Sequence, residues 1–137
     1  MWSITKIFTF ETAHRITNYV GLCNQIHGHS YELHVTLSAH ELGPGDMLMD
    51  FKVLKTLVQE HVGVVLDHSL VLKKNMDNQA LFNPSYFKIF WMETEPTAER
   101  LVEWMAGILI PLLPDKVSLR KLKLYETPTS YAEWENF

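Results

Sequence analysis

The chain has 137 residues, of which 47% are hydrophobic and 20% are charged, and its formal net charge is −4. This length predicts one domain, residues 1–137, that can bury a core of its own. An acidic chain without a basic stripe is unlike a protein that binds nucleic acid regardless of sequence, so no nucleic-acid partner is expected.

The single cysteine, Cys23, excludes an internal disulfide and suits a reducing compartment. The opening residues lack the basic and then apolar pattern of a secretory signal. The longest apolar run, residues 104–113, falls well short of the roughly 20 residues that span a bilayer. We therefore expect a cytoplasmic protein with no membrane partner.

Two strands are predicted first. Residues 4–14 alternate in part, and residues 27–39 alternate cleanly between two faces, which is the period of a half-buried strand. One face of the first strand carries Phe8, Phe10, Thr12 and His14. One face of the second strand carries His27, His29, Tyr31, Leu33, Val35, Leu37 and Ala39. The cluster Gly43-Pro44-Gly45 ends the second strand.

A helix capped by Asp50 is predicted next, with an apolar stripe that ends near Gly63. Residues 66–85 are rich in Asn, Asp and Lys and are predicted to form a loop, and residues 87–92 a short strand. Pro96 then opens a second helix at its first turn.

The last strand covers residues 119–125, with Leu122, Leu124 and Glu126 on one face. Helices and strands do not alternate regularly along the chain. The order therefore predicts an α+β fold in which two helices pack on one face of an antiparallel sheet.

The strongest chemical signal is the pair His27 and His29. Two residues apart on a strand, their side chains point the same way, roughly 6.5 to 7 Å apart along the chain. If the first two strands pair antiparallel, His14 supplies a third nitrogen. Three histidines with an open fourth position are typical of catalytic zinc, so we predict Zn²⁺ here. His34 and His40 fall on the polar face of the second strand and are predicted to be solvated surface residues. His61 lies late in the first helix, where a cation favours the helix dipole, and is predicted to have no metal role.

The residues alone leave three roles open for Cys23. It is a fourth zinc ligand in a closed structural site, or a base beside the metal, where a nearby cation favours the thiolate. The third role is that of a small buried apolar side chain, the commonest for a lone cysteine.

Two further polar groups lie among apolar residues. Asp67 and His68 directly follow the first helix. One interpretation is that they relay or hold a proton for a thiol; the other is that the aspartate caps a turn. Glu126 ends the last strand, where a buried carboxylate needs donors such as the ring N–H and amino groups of a flat heterocycle. The alternative is a glutamate that points to solvent.

Together these residues resemble the 6-pyruvoyl-tetrahydropterin synthase and 6-carboxytetrahydropterin synthase family over nearly the whole chain. The matching segments, in the family's order, are Phe10-Glu11-Thr12-Ala13-His14-Arg15, Cys23-Asn24-Gln25-Ile26-His27-Gly28-His29-Ser30-Tyr31, Asp46-Met47-Leu48-Met49-Asp50-Phe51, Leu66-Asp67-His68, Pro96-Thr97-Ala98-Glu99 and Tyr125-Glu126-Thr127. Two features depart from the family: Asp46 stands where it has glycine, and the segment 73–95 is longer.

The resemblance implies the tunnelling fold (T-fold), in which subunits join their sheets into a barrel, usually as a homohexamer made of two trimers, with active sites between subunits. The implied zinc ligands are His14, His27 and His29. The resemblance also implies that Cys23 is the catalytic base, that Asp67 and His68 assist it, and that Glu126 anchors the pterin. Thr97 would approach the pterin of a neighbouring subunit.

Three residues separate Cys23 from His27, as in the bacterial 6-carboxytetrahydropterin synthases of the queuosine pathway that the chain resembles. The resemblance therefore implies a zinc-dependent lyase that converts 7,8-dihydroneopterin triphosphate to 6-carboxy-5,6,7,8-tetrahydropterin, acetaldehyde and triphosphate. The alternatives are a 6-pyruvoyl-tetrahydropterin synthase, which releases triphosphate without cleaving the side chain, and a zinc- or pterin-binding protein without turnover.

Overall fold

A six-stranded sheet forms the centre of the computed structural model, which describes residues 1–137. Its strands are β1 Trp2–His14, β2 His27–Ala39, β3 Ser69–Lys73, β4 Ile89–Met92, β5 Ser118–Thr127 and β6 Ser130–Glu135. Their order in the sheet is β4-β3-β1-β2-β5-β6. Strands β1, β2, β5 and β6 pair antiparallel, whereas β3 pairs parallel with β1 and β4.

Four α-helical segments complete the fold. They are α1 Phe51–Val58, α2 Val64–Leu66, α3 Met76–Leu81 and α4 Ala98–Leu109. A π-helical segment, Gln59–Gly63, joins α1 to α2 without a break. None of these helices combines the length and apolar character that crossing a bilayer requires.

One hydrophobic core lies between the sheet and the helices. The alternation predicted for β1 and β2 is confirmed, because every second residue from Phe8 to His14 and from Tyr31 to Ala39 is buried. The helices contribute Leu54 and Val58 from α1 and Leu101 and Met105 from α4. Removing this apolar surface from water stabilises the fold by about 1.5–3 kcal/mol for each fully buried large side chain. The predicted α+β class, with helices against a mainly antiparallel sheet, is confirmed.

The prediction of a loop over residues 66–85 is wrong, because this stretch contains β3 and α3. Residues 69–72 are all buried, since β3 lies between β1 and β4 and is covered on both faces. Such a strand is a continuous apolar run without alternation, which makes it hard to distinguish from an apolar patch in a loop. The edge strand β6 was also not predicted.

Both predicted helix boundaries shift. The first helix does not end near Gly63, because the π-helical segment carries it past the glycine to Leu66. Pro96 does not lie in the first turn of α4: Thr97 is the N-cap, and its hydroxyl accepts a hydrogen bond from the backbone N–H of Arg100 at 3.2 Å.

Asp46 occupies a position that favours glycine. Its φ is 57°, in the left-handed region, and it follows Gly45 with a φ of 70°. A side chain at such a position strains the backbone, although aspartate tolerates it better than most residues. Asp46 therefore adopts a left-handed turn conformation that glycine would adopt without strain.

We expect Asp46→Gly to raise the free energy of unfolding by roughly 0.5 kcal/mol, because relief of left-handed strain exceeds the added entropy of the unfolded chain. Urea denaturation at neutral pH measures the change. The matched control is Asp115→Gly, at an exposed turn aspartate without a positive φ, which we expect to lose stability. Equal losses in the two variants would contradict the interpretation.

Candidate metal centre

Three histidines meet where β1 ends and β2 begins. In the antiparallel register His14 lies directly opposite His27, and Thr12 lies opposite His29. All three imidazoles are on the core face, and one ligand nitrogen from each lies within 4.8 Å of the other two. The structure therefore brings the predicted set together in a geometry that can hold a metal ion.

Hydrogen bonds to backbone carbonyls fix which nitrogen of two rings is free. Nδ1 of His14 lies 2.7 Å from the carbonyl oxygen of Pro96, and Nδ1 of His27 lies 2.9 Å from that of Gln25. A carbonyl only accepts, so each Nδ1 carries the proton and each Nε2 presents a lone pair. This is the usual orientation of a metal-binding histidine by its surroundings.

The free nitrogens lack partners of their own. Nε2 of His14 faces Nε2 of His27 at 2.9 Å, where two lone pairs repel unless a cation or a proton lies between them. Nε2 of His29 is buried and has no hydrogen-bond partner. A buried nitrogen without a partner is costly, and a metal ion would satisfy all three nitrogens at once. The donor set therefore fits a metal ion.

Burial keeps two of the three histidines neutral. The pKa of His14 is lowered to about 4, chiefly by burial, with the Pro96 carbonyl opposing the shift and the neighbouring His27 and His29 adding to it. Burial also lowers the pKa of His29, against an opposing effect of Glu126. Neutral imidazole is the form that binds metals. These two residues are ready to bind at neutral pH.

Tyr31 forms the floor of the site. Its side chain is fully buried, its hydroxyl lies 3.5 Å from Nδ1 of His14, and its ring centroid lies 5.3 Å from that of His29. Burial raises the pKa of the Tyr31 phenol, so the hydroxyl stays protonated. Tyr31 therefore packs as a neutral aromatic support beneath two of the histidines.

Glu126 lies beside the cluster, at the end of β5. One of its carboxylate oxygens is 3.9 Å from Nε2 of His29, and its side chain is 29% exposed. The carboxylate thus lies at the rim of the site, partly accessible to a small molecule.

Cys23 lies near the site in sequence but outside the metal cluster. It is in the 3-10 turn Leu22–Asn24, is half-buried, and its carbonyl accepts a hydrogen bond from the N–H of Ile16 at 2.9 Å. The group of converging ligand atoms contains the histidines and not this thiol. The structure therefore does not contain the closed four-ligand site.

Asp67 and His68 form a pair in a different place. Asp67 Oδ1 accepts a hydrogen bond from the N–H of Glu11 at 2.9 Å, and Asp67 Oδ2 lies 3.0 Å from Nδ1 of His68. The bond from Glu11, with help from His68, lowers the pKa of Asp67. His68 has a φ of 60° and a side chain that is 78% exposed.

His68 lines an open cleft of about 540 Å³ together with Glu11 and Ser30. These two strand residues alternate with buried ones, so they lie on the sheet face away from the core. No hydrogen bond within the chain joins Asp67 or His68 to Cys23. The proposed helpers and the proposed base are therefore not hydrogen-bonded to each other in one chain.

The remaining histidines do not join the cluster. His40 is exposed, as predicted, whereas His34 and His61 are half-buried. Nε2 of His34 lies 2.9 Å from a carboxylate oxygen of Glu32, and Nδ1 of His61 lies 2.9 Å from the carbonyl oxygen of Leu57. One nitrogen of each of these two rings thus has a nearby hydrogen-bond partner.

Sequence reasoning missed the groups that orient the histidines. The alternation of β2 places Tyr31 on the same face as His29, so its proximity was accessible from the pattern. The carbonyls of Gln25 and Pro96 are backbone groups, and no residue type marks them in a sequence.

Comparison with known proteins finds similarity over nearly the whole chain. Residues 3–136 match the family model for 6-pyruvoyl tetrahydropterin synthase. A protein of Rickettsia conorii named 6-carboxy-5,6,7,8-tetrahydropterin synthase is 31% identical over 97% of this chain and 99% of its own length. A protein of the same name from Aquifex aeolicus is 32% identical over 98% of each chain.

Solved structures share the fold at lower identity. An uncharacterized protein from Wolinella succinogenes superposes with a TM-score of 0.79 at 20% identity, covering 99% of this chain and 98% of its own. A catalytic-residue mutant of Plasmodium vivax 6-pyruvoyltetrahydropterin synthase gives 0.75 at 18% identity and 99% coverage of both chains. With the family model matched over nearly every residue, the chain belongs to the 6-pyruvoyl tetrahydropterin synthase family.

Proposed function

We propose that this protein is a zinc-dependent lyase that converts 7,8-dihydroneopterin triphosphate to 6-carboxy-5,6,7,8-tetrahydropterin, acetaldehyde and triphosphate, as a step of queuosine biosynthesis in the cytoplasm. The observation that carries the proposal is the convergence of three histidine nitrogens beside a partly exposed carboxylate. The name shared by relatives of about 30% identity over nearly full length supports the carboxy product. The solved 6-pyruvoyl enzymes, at 18–23% identity, support the fold alone.

The histidines would hold zinc through nitrogens that the backbone already orients. Bound there, zinc would supply a Lewis acid that polarises oxygens of the substrate side chain and stabilises negative charge on them. The three ligands leave a coordination position open, as catalytic sites do. The buried Tyr31 excludes water from below the rings.

Cys23 would act as the base that takes a proton from a carbon of the substrate side chain. Its half-buried thiol is reachable from outside, and it is not used up as a ligand. Glu126 would bind the pterin ring, because a carboxylate accepts two parallel hydrogen bonds from a ring N–H and the adjacent amino group. Its position 3.9 Å from His29 would hold the ring next to the reacting side chain.

The proposed active site would need more than one copy of the chain, because Asp67 and His68 are tied to Glu11 on the outer face of the sheet and make no hydrogen bond to Cys23. Unpaired sheet edges support assembly: β1 pairs with β3 only at residues 12–14 and Glu11 bonds to residues 67–68, which leaves residues 2–10 with a strand partner on one side only, and β6 is a terminal strand. Exposed edges favour pairing with another chain. We propose a homohexamer of two trimers in which His68, Asp67 and Thr97 of one copy would approach the site of another.

We expect His27→Ala to abolish zinc binding, because it removes one of three nitrogens, whereas His34→Ala on the other face of the same strand should keep it. Zinc per chain, measured by mass spectrometry of the metal after dialysis against a weak chelator, distinguishes the two. Equal zinc in both variants would contradict the ligand assignment.

For Cys23→Ala we expect an unchanged zinc content and a kcat at least about 100-fold lower, because a general base is lost while the ligands remain. Metal analysis and turnover are measured on the same preparation. A parallel loss of zinc and activity would instead make the thiol a ligand.

We expect incubation of the zinc-loaded protein with 7,8-dihydroneopterin triphosphate to yield the carboxy product with one acetaldehyde per turnover. Liquid chromatography with mass spectrometry identifies the pterin, and an aldehyde trap counts the acetaldehyde. Recovery of the pyruvoyl compound without acetaldehyde would overturn the proposed product, and unchanged substrate would overturn turnover itself.

A further inference from the structure

Arg15 directly follows the ligand His14, and its guanidinium group is engaged by the protein. Nε donates to the carbonyl oxygen of Asn24 at 2.8 Å, and Nη2 donates to Oδ1 of the same residue at 2.9 Å. Nη1 donates to Oδ1 of Asn78 at 2.6 Å. Each of the three guanidinium nitrogens thus donates to an acceptor of the protein, which points to a structural task for this cation.

Asn78 is itself held in place by hydrogen bonds, so its Oδ1 is a fixed acceptor for Arg15. It is fully buried in α3, its amide donates to the carbonyl of Lys73 at 2.8 Å, and its own N–H donates to Oδ1 of Asn75 at 2.8 Å. These bonds fix the direction of Oδ1 toward Arg15. Helix α3 lies in the segment 73–95, so this long segment supplies the support behind the arginine.

Arg15 also binds Asn24, which belongs to the turn that carries Cys23. The turn Leu22–Asn24 has no buried residue and no side-chain cap, and Leu22 is 87% exposed. It therefore has little packing of its own to hold it. Besides the bond from Ile16 to the carbonyl of Cys23, the contacts that tie it to the end of β1 are those of Arg15 with Asn24.

We propose that Arg15, braced by Asn78, is a positioning residue that fixes the turn carrying the Cys23 thiol relative to the end of β1, where the ligand His14 lies. Its paired donors suit this task, because a planar guanidinium grips a carbonyl and an amide oxygen in one orientation. The catalytic consequence rests on the proposed function, in which Cys23 moves a proton. The positional consequence does not, because thiol reactivity can be measured without substrate.

Cys23 is the only cysteine, so alkylation by iodoacetamide reports on this thiol alone. For Asn24→Ala, which removes one acceptor of Arg15 without touching the core, we expect several-fold faster alkylation and a kcat about tenfold lower at little-changed KM. Asn24→Asp keeps an acceptor oxygen and should restore both values. Leu22→Ala, on the same turn, removes a side chain that is 87% exposed and makes no hydrogen bond; it is the control and should match the unaltered protein.

Unchanged alkylation in Asn24→Ala would overturn the proposal, and so would faster alkylation with an unchanged kcat. Failure of Asn24→Asp to restore the alkylation rate would also overturn the proposal. The Asn24 side chain would then position the thiol by some means other than accepting a hydrogen bond from Arg15. If the unaltered protein does not turn over substrate, the proposed function fails. Faster alkylation in Asn24→Ala, with rescue by Asn24→Asp, would then still support the positioning of the thiol by Arg15.

Discussion

The antiparallel register between β1 and β2 is the constraint on which the rest of the structure depends. It sets His14 opposite His27 and, two residues along, Thr12 opposite His29. A slip of one residue would turn every side chain of one strand to the other face. The register is held by the core, because such a slip would expose Phe8 and Phe10 or the buried row that begins at Tyr31. The packing of the hydrophobic core therefore also aligns the three histidines.

This alignment has an energetic consequence. Nε2 of His14 and Nε2 of His27 face each other with lone pairs, and Nε2 of His29 is buried without a partner. Groups of this kind destabilise a fold, and proteins keep them where function requires it. The carbonyls of Pro96 and Gln25 prevent the rings from turning to relieve the conflict. A cation bound to these nitrogens would then stabilise the folded chain as well as serve chemistry.

The sequence predicted what period and spacing can reveal. Alternation located β1 and β2 and placed the three histidines on one face, and residue type suggested a metal. It did not reveal β3, whose residues 69–72 are buried on both faces and so do not alternate. Nor does it reveal the Arg15 contacts, because Asn78 comes 63 residues later, in a stretch whose composition indicates a loop. Groups that meet through tertiary structure, such as the carbonyl of Pro96 and Nδ1 of His14, leave no mark in a local pattern.

The two faces of the sheet bear on how the proposed chemistry is assembled. His14 and Glu11 are three residues apart on β1, and therefore point to opposite faces. Asp67 and His68 are tied to Glu11 and open on the outer face, whereas Glu126 adjoins the histidines on the core side. In a single chain, the proposed helpers and the proposed pterin-binding carboxylate therefore lie on opposite faces of the sheet. In the proposed assembly, joining copies through the free edges of β1 and β6 would bring the outer cleft of one copy to the histidines of another. In the proposed enzyme, assembly is therefore a requirement of the chemistry and not only a source of stability.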